Sequence, residues 1–166
     1  MTTEYYSQAL TSTAYNRIVQ LRDEIRESIS AKGLRASGRT QDSLRVYVDG
    51  NTVVLEGRAF FPALQYGSSA WSGRTGVKCS YEEFKGIIRQ WASDKGLNLG
   101  QAKEFKKAVA NIAWSIMQNG TRLYRSGGKI DVYDTLIEEA LNDLGEQLQL
   151  VTVEAVDVVV NQWARR

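Results

Sequence analysis

Histidine is absent from this chain, which removes the commonest general base and metal ligand at one stroke. A Ser–His–Asp triad cannot be built. Cys79 is the lone cysteine, so it can neither close an intrachain disulfide nor supply the Cys/His cluster of a structural zinc site. Glu82 with Glu83, and Glu138 with Glu139, are carboxylate neighbours in sequence. On a helix adjacent side chains diverge, so these pairs read as solvated faces, and an acid–base pair for hydrolysis would have to come from distant parts of the fold. The stretch Gly67–Thr75 spells G-x5-G-R-T. A phosphate-binding P-loop needs one residue fewer between its glycines and a Lys where Arg74 stands, and no buried parallel strand precedes this one. Neither catalytic residues nor a cofactor or metal are expected.

What the chain does offer is basic and aromatic. Arg74, Lys78, Lys103, Lys106, Lys107, Arg122, Arg125 and Lys129, with Trp71 and Tyr124 nearby, have the makings of a basic patch with stacking platforms. No recognised nucleic-acid motif accompanies them, and a solubilising or subunit-facing surface uses the same residues. The aromatic stretch Phe60, Phe61 and Tyr66, followed by Trp71, suits core or a subunit contact, where amphipathic aromatics are enriched.

The net charge of +2 conceals a split. Residues Gly33–Ile130 carry 15 Lys and Arg against 7 Asp and Glu, whereas Asp131–Arg166 carry 8 acids against Arg165 and Arg166. Two copies could meet basic face to acidic face, or the two regions could lie side by side in one fold.

The elements that must position these residues read as α+β: a long N-terminal helix and further helices packed on a small antiparallel sheet built around a hairpin at about 43–59. The 166 residues suit one domain, with a flexible linker at about 33–42 and loops at about 67–79 and 120–130. Leu10, Ala14, Ile18, Leu21, Ile25 and Ile29 recur at helical spacing over Glu4–Ala31, with Arg17, Arg22 and Arg26 expected on the opposite face. Leu44, Val46 and Val48 alternate with Arg45 and Tyr47, Asp49-Gly50 marks a tight turn, and Thr52–Ala59 returns. Pro62, the only proline, ends the strand and swings the aromatics into a loop.

Ser80 with Glu83 predicts a capping box opening a helix whose buried face is Phe84, Ile87, Ile88 and Trp91. A further helix ends at Gly120, with Phe105, Val109, Ile112 and Ile116 on its apolar side, and Thr121–Lys129 reads as a basic glycine loop. The last helix is expected to start from Asp131 as N-cap. Ile137, Leu141, Leu144, Leu148, Val151, Ala155 and Val159 form its stripe, and Gly145 is a candidate kink. Val151–Val160 is β-branched enough that a terminal strand competes with helix there. The first residues lack the basic-then-apolar pattern of a signal peptide, and no apolar run approaches the ~20 residues of a membrane span, so a soluble, cytoplasm-made protein is expected.

The hairpin region also carries a resemblance. SGRTQDSLRVYV, a second strand, then FFPALQYGS is similar to the small neck or tail-completion proteins (minor tail, head–tail joining proteins) of tailed bacteriophages. In that family a TG-x-L-x-x-SI lead-in to a strand is followed, one strand later, by YA-x-Y-x-E-x-G-T. Here Ser43 and Leu44 match the first segment, and Ala63, Tyr66, Gly67 and Ser68 the second, with Gln65 near the usual acid. IIRQWASDKGL resembles a helix of longer members. AVANIAWSIMQNGTRLYRSGG and DVYDTLIEEAL resemble the I-x-x-x-G-T and PFL-x-PAL segments, with Tyr133 and Leu136 in place of Phe and Leu and the proline absent.

The resemblance spans Ser37–Leu144 and implies a non-enzymatic virion part. Such a part is a ring of identical subunits in the neck or tail, assembled in the host bacterial cytoplasm. It joins portal or adaptor to tail-tube or tail proteins, with non-specific contact to DNA in the channel and none to membrane. On that footing Phe60, Phe61, Tyr66, Trp71, Arg122, Tyr124 and Arg125 are the expected subunit-interface residues, with the basic loops facing the neighbour's acidic final helix or the channel. A nucleic-acid-binding accessory protein using the basic 103–129 region is the alternative.

Overall fold

The computed structural model describes residues 3–58, 61–70 and 79–163. In chain order it runs α1 (Thr3–Ala31), α2 (Arg39–Asp42), β1 (Arg45–Asp49), β2 (Thr52–Glu56), α3 (Pro62–Tyr66), α4 (Tyr81–Asp94), α5 (Ala102–Asn119), α6 (Arg122–Arg125) and α7 (Asp134–Trp163). The fold is α+β as expected: mostly helical, with a long N-terminal helix and one two-stranded antiparallel sheet. Its residues cluster into two compact units, Met1–Lys32 with Ser43–Gly57 and Val132–Arg166, and Gly33–Asp42 with Arg58–Asp131.

In the first unit α1 packs along α7 and against both strands. The apolar stripe of α1 does the packing: Leu21, Ile25 and Ile29 are buried with Leu44, Val132 and Ala140, while Leu10, Ala14 and Ile18 are half-buried. On α7 burial fades the other way along the chain, from Ala140 to the half-buried Leu144, Leu148 and Val151. Opposed gradients of this kind are those of an antiparallel pair whose buried ends meet at the C-terminal end of α1 and the N-terminal end of α7.

Arg17 departs from expectation. It is buried, not on the solvent face, because its guanidinium bridges Glu24 at 3.3 Å on its own helix and Asp143 at 3.1 Å on α7. The hairpin pairs Arg45 with Glu56 through Asp49 with Thr52. Gly50 alone takes positive φ, at 57°, so the turn has the φ signature of type II′, with glycine in its first central position.

Helix α7 starts at Asp134, with Tyr133 in the N-cap place expected for Asp131, two residues later, since Val132 is first delivered to the core and Tyr133 O accepts the opening bond from Ile137 N. It continues unbroken through Gly145 and stays helical to Trp163, so the alternative terminal strand is not formed. Leu141 is exposed, contrary to the predicted stripe, because it sits at the edge of the arc facing α1.

The second unit is centred on α4 and α5. Phe84, Ile88, Ala92, Val109 and Ala113 are buried together, with Phe105, Ile112 and Ile116 packed around them. Ile87 and Trp91 are exposed instead of buried, because one neighbouring helix covers only the narrow arc through Phe84, Ile88 and Ala92. The capping box at Ser80 is present as expected: Glu83 N donates to Ser80 Oγ and Ser80 N to Glu83 Oε2. The segment expected to be a flexible linker contains α2, where Gln41 is buried and Asp42 N donates to Gly38 O at 2.9 Å.

Candidate subunit interface

Two corrections to the sequence reading build the surface of interest. Pro62 does not open a loop. Its fixed φ and missing N–H suit the first position of a helix, and α3 follows directly. Thr121–Lys129 is likewise not a plain glycine loop, because Thr121 N-caps the one-turn helix α6, its Oγ1 accepting from Tyr124 N at 3.4 Å.

The ends of α3 and α6 are tied to each other. Thr121 N donates to Ser68 O at 2.8 Å, Ser68 N donates to Thr121 Oγ1 at 3.0 Å, and Ile130 N donates to Gln65 O at 2.9 Å. The chains approach so closely that two glycines are required. Gly67 (φ 74°, ψ −176°) and Gly120 (φ 78°, ψ 177°) both occupy a backbone region that is essentially glycine-only. A Cβ on Gly67 would lie 2.4 Å from Thr121 Oγ1, and one on Gly120 would lie 2.6 Å from Ser68 O.

This knot gathers residues far apart in sequence onto one platform. Tyr66, Arg122, Tyr124, Arg125 and Lys129 are all exposed, and the Lys129 ammonium stands 5.8 Å from the Tyr66 ring centroid. Residues 120–130 contain no acid, and neither Arg122 nor Arg125 forms an ion pair with a described residue. Phe61 is half-buried at the start of α3. Phe60, Trp71, Arg74 and Lys78 lie outside the described residues. Lys103, Lys106 and Lys107 are exposed on α5. The described side chains put two guanidinium groups, an ammonium and two phenol rings on one surface. Guanidinium groups beside aromatic faces suit an acidic or phosphate-bearing surface. Among the described residues no cluster of Cys, Asp and Glu could hold a metal ion.

Trp114 was missed by the sequence reading. It stands exposed on α5, its ring edge-on to Tyr81 with centroids 6.0 Å apart, while Tyr81 Oη donates to Ala110 O at 3.2 Å. The helical period carries the signal, because Trp114 falls opposite the Phe105, Val109, Ile112 and Ile116 face.

The charge split of the sequence maps onto the two units. The unit holding this platform has 14 basic against 6 acidic residues, net +8; the unit holding α1, the hairpin and α7 has 7 against 13, net −6. Comparison with protein-family models, with curated proteins and with solved structures found no match to this chain.

Proposed function

We propose that this chain is a structural virion component of a tailed phage: a head–tail connector or tail-completion protein that assembles as a ring between portal or adaptor and tail, and not an enzyme. The observation that carries the reading is the exposed basic and aromatic platform at the α3–α6 knot, held by the +8 unit of a chain whose other unit is −6. A subunit with opposite charge on two units is suited to heterologous contacts, one face meeting a different face of the next copy, which is how closed rings are made. The resemblance of Ser37–Leu144 to phage neck proteins supports the same assignment.

Arg122 and Arg125, which form no ion pair with a described residue and stand beside Tyr124, also favour the second reading, a nucleic-acid-binding accessory protein. One experiment separates them. Heads and tails made without this chain are mixed with purified protein, wild type or carrying Arg122→Glu and Arg125→Glu. Joining of heads to tails by the wild type, with the folded variant impaired, is the expected result. No joining by the wild type, together with DNA binding that falls steeply with salt, refutes the connector reading in favour of the second.

A further inference from the structure

Two exposed helix faces, one on each unit, both run from charged to apolar residues and carry opposite charge. On α5, Lys103, Lys107 and Trp114 recur at spacings of four and seven, which places them in one stripe, and all three are exposed. Trp114 is 57% exposed, a large area for an indole held in place by its edge contact with Tyr81. On α7, Glu139, Glu146, Leu150 and Val153 recur at seven, four and three, again one stripe. Leu150 is 66% and Val153 51% exposed, with Val156 beside them, on the side of α7 turned away from α1. Lys103, Lys107, Glu139 and Glu146 make no ion pair with any described residue.

Each stripe runs from charge to apolar in the direction of the chain. Lys103 to Trp114 and Glu139 to Leu150 both span 11 residues, about 16 Å of helix. Laid parallel, the two helices bring lysine to glutamate and tryptophan to leucine in a single register; laid antiparallel, they bring charge onto apolar surface at both ends.

We infer that the α7 outer face of one copy docks on the α5 stripe of a second copy, parallel and in that register, with Trp114 as the buried anchor. The occupant is another copy of this chain and not an unrelated acidic helix, because one contact then covers both unpartnered faces and pairs the −6 unit with the +8 unit. This inference rests on the assembly reading above and names the contact that would propagate it. The apolar end supplies affinity, since Trp is among the residues most enriched at binding hot spots, and the charged end sets register and direction.

The test is a charge swap with mixing. One variant carries Lys103→Glu and Lys107→Glu; the other carries Glu139→Lys and Glu146→Lys. All four positions are exposed and form no ion pair with a described residue, so each variant should fold, as its melting curve will report. Asp143 is left alone because it holds Arg17. Each variant by itself sets like charge against like and should self-associate roughly tenfold or more weakly than the wild type, by sedimentation. Mixed one to one, they present complementary faces at every contact and should regain wild-type association. Trp114→Ala should weaken association on its own by at least about tenfold.

A wild type that stays monomeric at its solubility limit overturns the inference. So do variants that associate as the wild type does, or a mixture that fails to recover, the result expected if these faces met only within one chain. These outcomes are separate from those of the head–tail experiment: a protein that assembles through this contact yet joins no heads to tails defeats the connector reading and leaves the contact standing.

Discussion

Replacing Gly120 by alanine tests whether the α3–α6 knot holds the platform in place. Two costs add. At φ 78° and ψ 177° the backbone is in a region that a residue with a Cβ reaches at about 1–3 kcal/mol. The new Cβ would also stand 2.6 Å from Ser68 O, a backbone atom with no rotamer to move, so the Thr121 N to Ser68 O bond must lengthen or break, at about 0.5–1.5 kcal/mol. The expected loss is therefore about 2–4 kcal/mol, a large share of the ~5–15 kcal/mol that holds a typical domain together. Gly96→Ala is the control. Gly96 has φ 63° but nothing within 4 Å of its would-be Cβ, so it should lose only the left-handed penalty of about 1–2 kcal/mol. Urea denaturation followed by tryptophan fluorescence reads both, since Trp91 and Trp114 lie in the unit concerned. If Gly120→Ala costs no more than Gly96→Ala, close approach of the two segments is not what holds Tyr66 beside α6, and the platform loses its structural basis.

Two further perturbations probe the first unit. Arg17 is only 5% exposed, so Arg17→Ala removes both its ion pairs and the packing of its alkyl stem, an expected loss of about 2–3 kcal/mol by urea denaturation. Arg17→Met keeps most of the stem and releases Glu24 and Asp143 to water, so it should lose less than about 1 kcal/mol; equal losses would refute the packing argument. Asp23 lies below its ordinary carboxylate value of 3.8, chiefly because Arg22 hydrogen-bonds it from Nε at 2.9 Å and from its terminal nitrogen at 2.8 Å. A lowered folded value means a contribution present in full above the ordinary value and lost as pH falls through the folded one. The stability gap between wild type and Asp23→Asn should therefore narrow as pH drops from about 5 to about 2, and a gap independent of pH would refute it.

Periodicity made the long elements legible. The α1 stripe, the hairpin and the Ser80–Glu83 cap are local patterns, and each appears in the structure where the spacing put it. Errors came wherever a partner decides the outcome. Ile87 and Trp91 satisfy the apolar period of α4 as well as Ile88 does, but a single covering helix leaves them at the edge. Arg17 reads as solvent-facing until Asp143, 126 residues away, is there to receive it. Pro62 reads as a strand end and Thr121 as the first residue of a glycine loop, although each is also a favoured helix-start residue. What separates the two readings is the crossing of Gly67–Ser68 with Gly120–Thr121, a contact between segments 53 residues apart that no local pattern announces. Of the expected interface residues, Tyr66, Arg122, Tyr124 and Arg125 do share one platform, because that crossing ties their helices together.

The direction of the charge split also constrains symmetry. An isologous contact through the α5 stripe brings Lys103 and Lys107 of one copy either against the same residues of its mate or onto Trp114, and one through α7 sets Glu139 and Glu146 against themselves or onto the apolar end. Neither arrangement pairs lysine with glutamate, and charge set on like charge or on apolar surface disfavours association. A two-fold dimer avoids this only by pairing the units reciprocally, α5 on α7 twice over, which consumes both faces and stops at two copies. A ring uses each face once per neighbour and continues until the rotation closes. Mixing the two charge-swapped variants distinguishes these as well: a reciprocal dimer recovers only as a species of twice the monomer mass, whereas a ring recovers as a larger particle in which the variants alternate. Recovery limited to the dimer would keep the α5–α7 contact and remove the ring from the connector reading.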